Sequence, residues 1–266
     1  MIFRKLISAI ISITVLICIS GCNKTPVPED LIRVGTISGP ETELMEVAKE
    51  VAFRDYGVTV NIKSFSDYVT PNVALYERNI DANVYQHTPY LEVTNDARGY
   101  DLVPVGRTFV YPMGIYSLKL KSLKSLPEKS LIGIPNDPSN HARSLELLQS
   151  AGLIKLHSGK KTPNVEDIQE NPHHLKFKEL DAAQLPRALT DLDAAVINTT
   201  YAIPAGMSLD DAIYVEGKDS PYANIIVTVP ELESSYKVSA LIKALNSDEV
   251  AEAAEQLFQG TAVQAW

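Results

Sequence analysis

The sequence predicts an α/β protein of two lobes, and three observations carry that expectation. Strand-like and helix-like stretches alternate along the chain in two successive blocks. A long strand-like run interrupted by proline, DLVPVGRTFVYPMGIYS, stands between them. The 266 residues are 45% apolar and 21% charged, enough hydrophobic material for a sizeable core. Alternation of this kind argues for mostly parallel sheets covered by helices. Two such units in series leave a cleft, and ligands of such sheets gather where strands end.

The chain starts with a separate segment. Arg4 and Lys5 precede an apolar run from Leu6 to Ile19 that is short for a membrane span, the pattern of a secretory signal. It closes with Ile19-Ser20-Gly21-Cys22, an order that resembles the bacterial lipobox, in which a small residue precedes a cysteine that is acylated and becomes the new N-terminus. The expected division is a signal peptide over 1–21 and a lipidated tether over 22–30. The only other cysteine, Cys18, would leave with the signal, so no disulfide is expected. Cleavage also removes Arg4 and Lys5 and no acidic residue, which makes the mature chain more negative than the formal −9 of the whole. Such a surface does not favour nucleic acid. Acyl chains such as palmitate contribute about 0.8 kcal/mol per buried CH₂, and two or more together anchor a protein that does not itself insert.

In the first block LIRVGTIS reads as a strand, and ETELMEVAKEVAFRDYG as a helix with Leu44, Val47, Ala48, Val51 and Ala52 at helical spacing and Gly57 as its stop. VTVNIKSF is the next strand, YVTPNVALYERN a helix begun near Pro71, and IDANVYQ a third strand. The second block opens with SLIGIPND, strand into loop. PSNHARSLELLQSAGL follows as a helix with Asp137 as N-cap and Gly152 as stop, and DAAVIN as a strand. NIIVTVPE and two helical stretches close the chain. The expected lobes are 31–111, with 221–266 returning to it, and 112–220.

The sequence carries no G-x-S-x-G, H-E-x-x-H, C-x-x-C, Walker A or G-x-G-x-x-G pattern. Polar and aromatic residues gather instead where strands stop and helices begin. Asn140 and Arg143 are three apart in the first turns of a helix, where free N–H groups attract anions and a guanidinium can add a fork for a carboxylate. From this stretch alone a solvated helix charge is an equal reading of Arg143. Asn198 ends one apolar strand and Asn224 begins another, so both amides fall at the expected cleft edge, though Asn is also a common turn residue. The stretch IDANVYQHTPYL places Tyr85, His87 and Tyr90 close together, and SFSDY adds Phe65 and Tyr68. Taken together they form a candidate aromatic wall for an apolar or sulfur-bearing side chain; taken singly each ring could equally belong to a core.

These stretches resemble the methionine-binding or NlpA-type lipoproteins, substrate-binding proteins of ABC importers. The likeness runs through VGTISGP, FSDYVTPNVAL, IDANVYQHTPYL, GRTFVYPMGIYS, IPNDPSNHARSLELLQSAGLIKL, LDAAQLPRAL, AAVINTTYA, KDSPYANIIV and GTAVQAW, nearly the whole mature chain. It implies a two-lobed periplasmic-binding-protein fold, type II-like, that closes over a free amino acid, most often L-methionine, and delivers it to a membrane permease driven by an ATPase. Carried onto matching positions, it implies that Arg143 with Asn140 grips the ligand carboxylate and that Asn198 and Asn224 hold its ammonium and carboxylate ends. Tyr68, His87 and Tyr90 would line the side-chain pocket, with Phe65 and Tyr85 at its margin. No cofactor and no catalytic residue are implied, and a lipid-anchored monomer in the cell envelope is expected. The family often carries smaller residues where His141 and Ala142 stand. Some members prefer a Gly-Met dipeptide or another amino acid, which leaves the exact cargo open.

Two other classes have distinct requirements. A lipid-anchored hydrolase needs a nucleophile or metal with an activating base. A metal receptor needs three or four converging His or carboxylate ligands, to which His87 and His141 would contribute.

Overall fold

A computed structural model describes residues 30–217 and 220–266; Cys22 and the signal and tether segments lie outside them. In chain order the first part runs β1 (Leu31–Ile37), α1 (Pro40–Tyr56), β2 (Thr59–Phe65), α2 (Thr70–Tyr76), β3 (Ala82–His87), α3 (Thr88–Arg98) and β4 (Val103–Val110). Next come β5 (Gly114–Tyr116), β6 (Leu131–Pro135), α4 (Pro138–Ser150), β7 (Lys155–Leu156), β8 (Ile168–Glu170), β9 (Lys176–Leu180), α5 (Leu185–Ala188), β10 (Ala194–Ile197), α6 (Thr199–Ala202) and β11 (Tyr214–Val215). The chain ends with β12 (Ala223–Thr228), α7 (Tyr236–Leu245), α8 (Asp248–Leu257) and β13 (Val263–Gln264).

Local chemistry explains the boundaries near the cleft. Pro138 begins α4 where its missing N–H is no loss, and the Asp137 carboxylate accepts the Asn140 N–H at 2.9 Å as the N-cap. His87 does the same for α3, its Nδ1 accepting the Tyr90 N–H at 3.3 Å ahead of Pro89. α1 ends at Gly57, in the left-handed region at φ 66°.

The two lobes are built on two sheets. One has six strands in the order β13-β4-β12-β3-β1-β2, the other five in the order β11-β5-β10-β6-β9. Both are mixed rather than mostly parallel. β1 runs parallel to β2 and β3, and β6 parallel to β9 and β10, as the helical crossovers require. β12 pairs antiparallel with β3 and β4, and β5 antiparallel with β10 and β11. The antiparallel pairs involve the strands beside the two crossings between sheets, β4 to β5 and β11 to β12, where the next strand in the chain belongs to the other sheet. The largest core cluster packs β1, β2 and β4 against α1, α7 and α8, with Ile32, Val34, Met45, Leu241 and Phe258 buried. A second core lies between the five-stranded sheet and α4, around Ile115, Ile132, Leu145 and Leu148. Burying each such side chain contributes about 1.5–3 kcal/mol.

Candidate ligand-binding site

The sheets place their strand ends face to face, and a cavity lies between them. Tyr68, Tyr85, Gln86, His87, Tyr90 and Tyr111 line one side, with Asn224 of β12. Asn140, Arg143, Asn198, Thr199 and Thr200 line the other.

The first wall is aromatic. The Tyr68 ring lies 5.9 Å from Tyr85 and 6.1 Å from Tyr90, and these two meet edge to face at 6.0 Å. Both phenols donate to the Tyr68 carbonyl, at 2.9 and 2.8 Å, so three rings share one anchor. Tyr201 of α6 completes the group from the opposite lobe, 4.9 Å from Tyr68. Burial raises the pKa of every one of these phenols, which therefore stay neutral. Behind them Asn72, Asn83 and Gln86 satisfy one another through four hydrogen bonds of 2.7–2.9 Å, which fixes the end of β3.

His87 joins the walls. Its Nδ1 is occupied as an acceptor, so Nε2 carries the proton and donates toward Asn140 Oδ1 at 3.4 Å. Burial, and then the Arg143 charge, push its pKa down to about 3, so the ring is neutral. Asn140 Oδ1 also accepts from Asn198 Nδ2 at 3.0 Å, while Asn140 Nδ2 donates to Asp137. The amide plane of Asn140 is thus set from three directions.

Arg143 is the cationic centre of the second wall and is buried. Its Nε donates to Glu216 Oε1 at 2.9 Å, and its Nη2 donates to Glu216 Oε2 and to the Tyr111 carbonyl. Tyr222 covers the guanidinium, 4.5 Å from ring centre to Cζ. Among the described residues nothing bonds to Nη1. The guanidinium therefore keeps one nitrogen unengaged rather than a full fork. Glu216 also accepts the Met113 N–H at 3.1 Å, so Arg143 sits where both crossings meet.

A model of the NlpA lipoprotein family matches residues 32–266. This chain belongs to the NlpA lipoproteins. A D-methionine-binding lipoprotein, MetQ, of Escherichia coli strain K12 is 49% identical over 250 residues, covering 92% of each chain. Among solved structures, an ABC transporter periplasmic substrate-binding protein from Coxiella burnetii superposes with a TM-score of 0.86 at 50% identity, over 88% of this chain and all of that one. A nutrient-binding protein from Burkholderia cenocepacia bound to methionine gives 0.86 at 46% identity, over 88% and 100%.

In this NlpA lipoprotein, Tyr68, His87, Tyr90, Asn140, Arg143, Asn198 and Asn224 come together around one cavity, and Tyr85 joins them. Phe65 does not line it. It stands half-buried at the end of β2 and packs behind the ring cluster, close to Gly35. Gln86, Tyr111, Thr199 and Thr200 line the cavity without having stood out in the sequence. Thr199 and Thr200 follow the β10 strand directly after Asn198, so the strand-end signal that marked the amide extends to them. His141 is buried beside Glu179, with Nδ1 3.6 Å from the carboxylate, and is not part of the lining. Among the described residues no group of three or more His, Cys, Asp or Glu side chains is placed to hold a metal ion, and no helix is long and apolar enough to cross a membrane.

Proposed function

We propose that this protein is an extracytoplasmic substrate-binding protein that captures methionine and hands it to an ABC importer. The observation that carries the reading is the meeting, around one cavity, of a ring cluster suited to a thioether with a buried guanidinium and three amides suited to an amino acid backbone. Membership in a family with methionine-binding relatives of nearly half-identical sequence supports it. In this reading Arg143 Nη1 takes the ligand carboxylate with Asn140, and Asn198 and Asn224 hold the backbone ends. Tyr68, Tyr85, His87 and Tyr90 pack the side chain, where sulfur–ring contacts add about 0.3–1.5 kcal/mol each.

The work of such a receptor is closure. Ligand contacts from both lobes favour the closed state by their difference in affinity between open and closed forms. We assign 31–111 with 221–266 to one lobe and 112–220 to the other, so the aromatic wall and the guanidinium wall move relative to each other. The protein acts as a receptor without catalysis, as a monomer held in the envelope by lipid on Cys22.

The test is thermal unfolding of the full-length protein in detergent, stripped of carried-over ligand by unfolding and refolding. It is run against L- and D-methionine, the other amino acids and Gly-Met. L-methionine at a thousandfold excess over Kd is expected to stabilise by about 4 kcal/mol. Stabilisation by Gly-Met alone moves the assignment to a dipeptide receptor, and stabilisation by none of them overturns it.

A further inference from the structure

Glu41 stands in the first turn of α1, almost fully buried at the seam between the lobes. Its Oε1 accepts from Thr200 Oγ1 at 2.9 Å, a bond from the six-stranded lobe to α6 of the other, and lies 3.4 Å from Asn224 Nδ2. Both partners line the ligand cavity. Its Oε2 is buried with no hydrogen-bond partner among the described residues. Glu41 also lines a small second cavity with the apolar Leu44, Met45, Val84 and Leu245 and the polar Thr108, Tyr111 and Asn224. The lobes approach closely two residues earlier as well. Gly39, at φ 116°, has so little room that an added Cβ would stand 2.9 Å from Pro204.

Among the described residues no cation pairs with this carboxyl. The titratable side chains that face it are Tyr68, Tyr111 and Tyr201, whose phenols stay neutral. Arg143 is engaged by Glu216, and His87 is neutral. Burial raises the Glu41 pKa to about 8, against the hydrogen bonds from Thr200, the Ile37 backbone and Asn224 that oppose the rise. A bare carboxylate here is costly, whereas a neutral acid is tolerated.

We propose that Glu41 is a positioning residue that acts as an uncharged acid, holding Thr200 and Asn224 in the closed arrangement and making ligand affinity dependent on pH. Opening the lobes brings water to the carboxyl and lets it ionise at a lower pH than in the closed form. Closing at neutral pH then takes up a proton. Affinity is highest where both forms hold the proton, falls as pH rises through the window between the two pKa values, and levels above about 8.

This rests on the methionine reading for its probe alone. The experiment measures L-methionine binding to the full-length protein from pH 5 to 9, for wild type, Glu41→Gln and Glu41→Ala, with ligand-free unfolding midpoints over the same range. Wild-type Kd is expected to rise by up to tenfold per pH unit below pH 8 and then flatten. Glu41→Gln, a permanently neutral isostere, is expected to bind as wild type does at the acid end and to keep that affinity to pH 8, while Glu41→Ala is weaker throughout. The ligand-free midpoint of wild type should fall relative to Glu41→Gln over the same interval. Parallel profiles for wild type and Glu41→Gln overturn the proposal, as does a large loss in Glu41→Gln at acid pH, which would make Glu41 a charged partner of the ligand. If wild type binds no methionine, the function reading fails and the unfolding comparison decides this one.

Discussion

The two walls of the cavity are built differently. The aromatic wall is held by uncharged bonds within its own lobe: Tyr85 and Tyr90 hang on the Tyr68 carbonyl, and three buried amides lock the strand end behind them. The guanidinium wall is held from outside. Arg143 on α4 is fixed by Glu216 and the Tyr111 carbonyl, both on the crossings between lobes. Losing one ring leaves a hole in a self-supporting wall. Losing the guanidinium leaves the partly buried Glu216 carboxylate without its cation and loosens the crossings.

That contrast is tested most severely by Arg143→Ala. Removing one partner of a fully buried ion pair costs about 3–5 kcal/mol; with Glu216 only partly buried the cost is smaller, so the variant should lose methionine binding and unfold at lower denaturant. A variant that loses binding with unchanged stability would break the contrast.

Acid should come next in effect. The unfolded His87 protonates below about pH 6.5, while the folded ring stays neutral down to about 3. Stability is therefore expected to fall as pH drops through that window, by about 1.4 kcal/mol per unit for this one group. Denaturant titrations of wild type and His87→Gln should diverge below pH 6.5, and parallel curves would remove His87 as the cause. Glu41 works in the opposite direction, weakening the fold as pH rises toward 8.

Tyr68→Ala should weaken methionine binding by about 1.5–3 kcal/mol, the worth of one buried apolar contact surface, with a smaller stability loss than Arg143→Ala by the same denaturant assay. The smallest change is expected from Tyr90→Phe, which removes one hydrogen bond to the Tyr68 carbonyl, about 1 kcal/mol. Calorimetric titration should find its methionine affinity within about tenfold of wild type. A loss as large as that of Arg143→Ala would mean the rings do not support one another.

Most helices and strands of both blocks were legible because their signals are local, but α3, β9 and α5 went unread. Asp137, Pro138 and Gly152 bracket α4, and Gly57 stops α1, through backbone geometry that no distant contact alters. The strand-end positions of His87, Asn198 and Asn224 were legible for the same reason, since an apolar run that stops at a polar residue marks an edge. The mostly parallel sheets were not, because β12 and β5 enter from the other lobe and take their direction from that route.

By itself the sequence determined the class, the two-block alternation, the family likeness and most of the residues that gather at the cleft. Only the tertiary structure decided that Arg143 spends most of its donors on Glu216, that Phe65 backs the rings without lining the cavity, and that Glu41 is sealed between the lobes. Each of these depends on which surfaces exclude water once two distant parts of the chain meet. Burial and charge pairing between residues 73 and 159 positions apart leave no local periodicity to read.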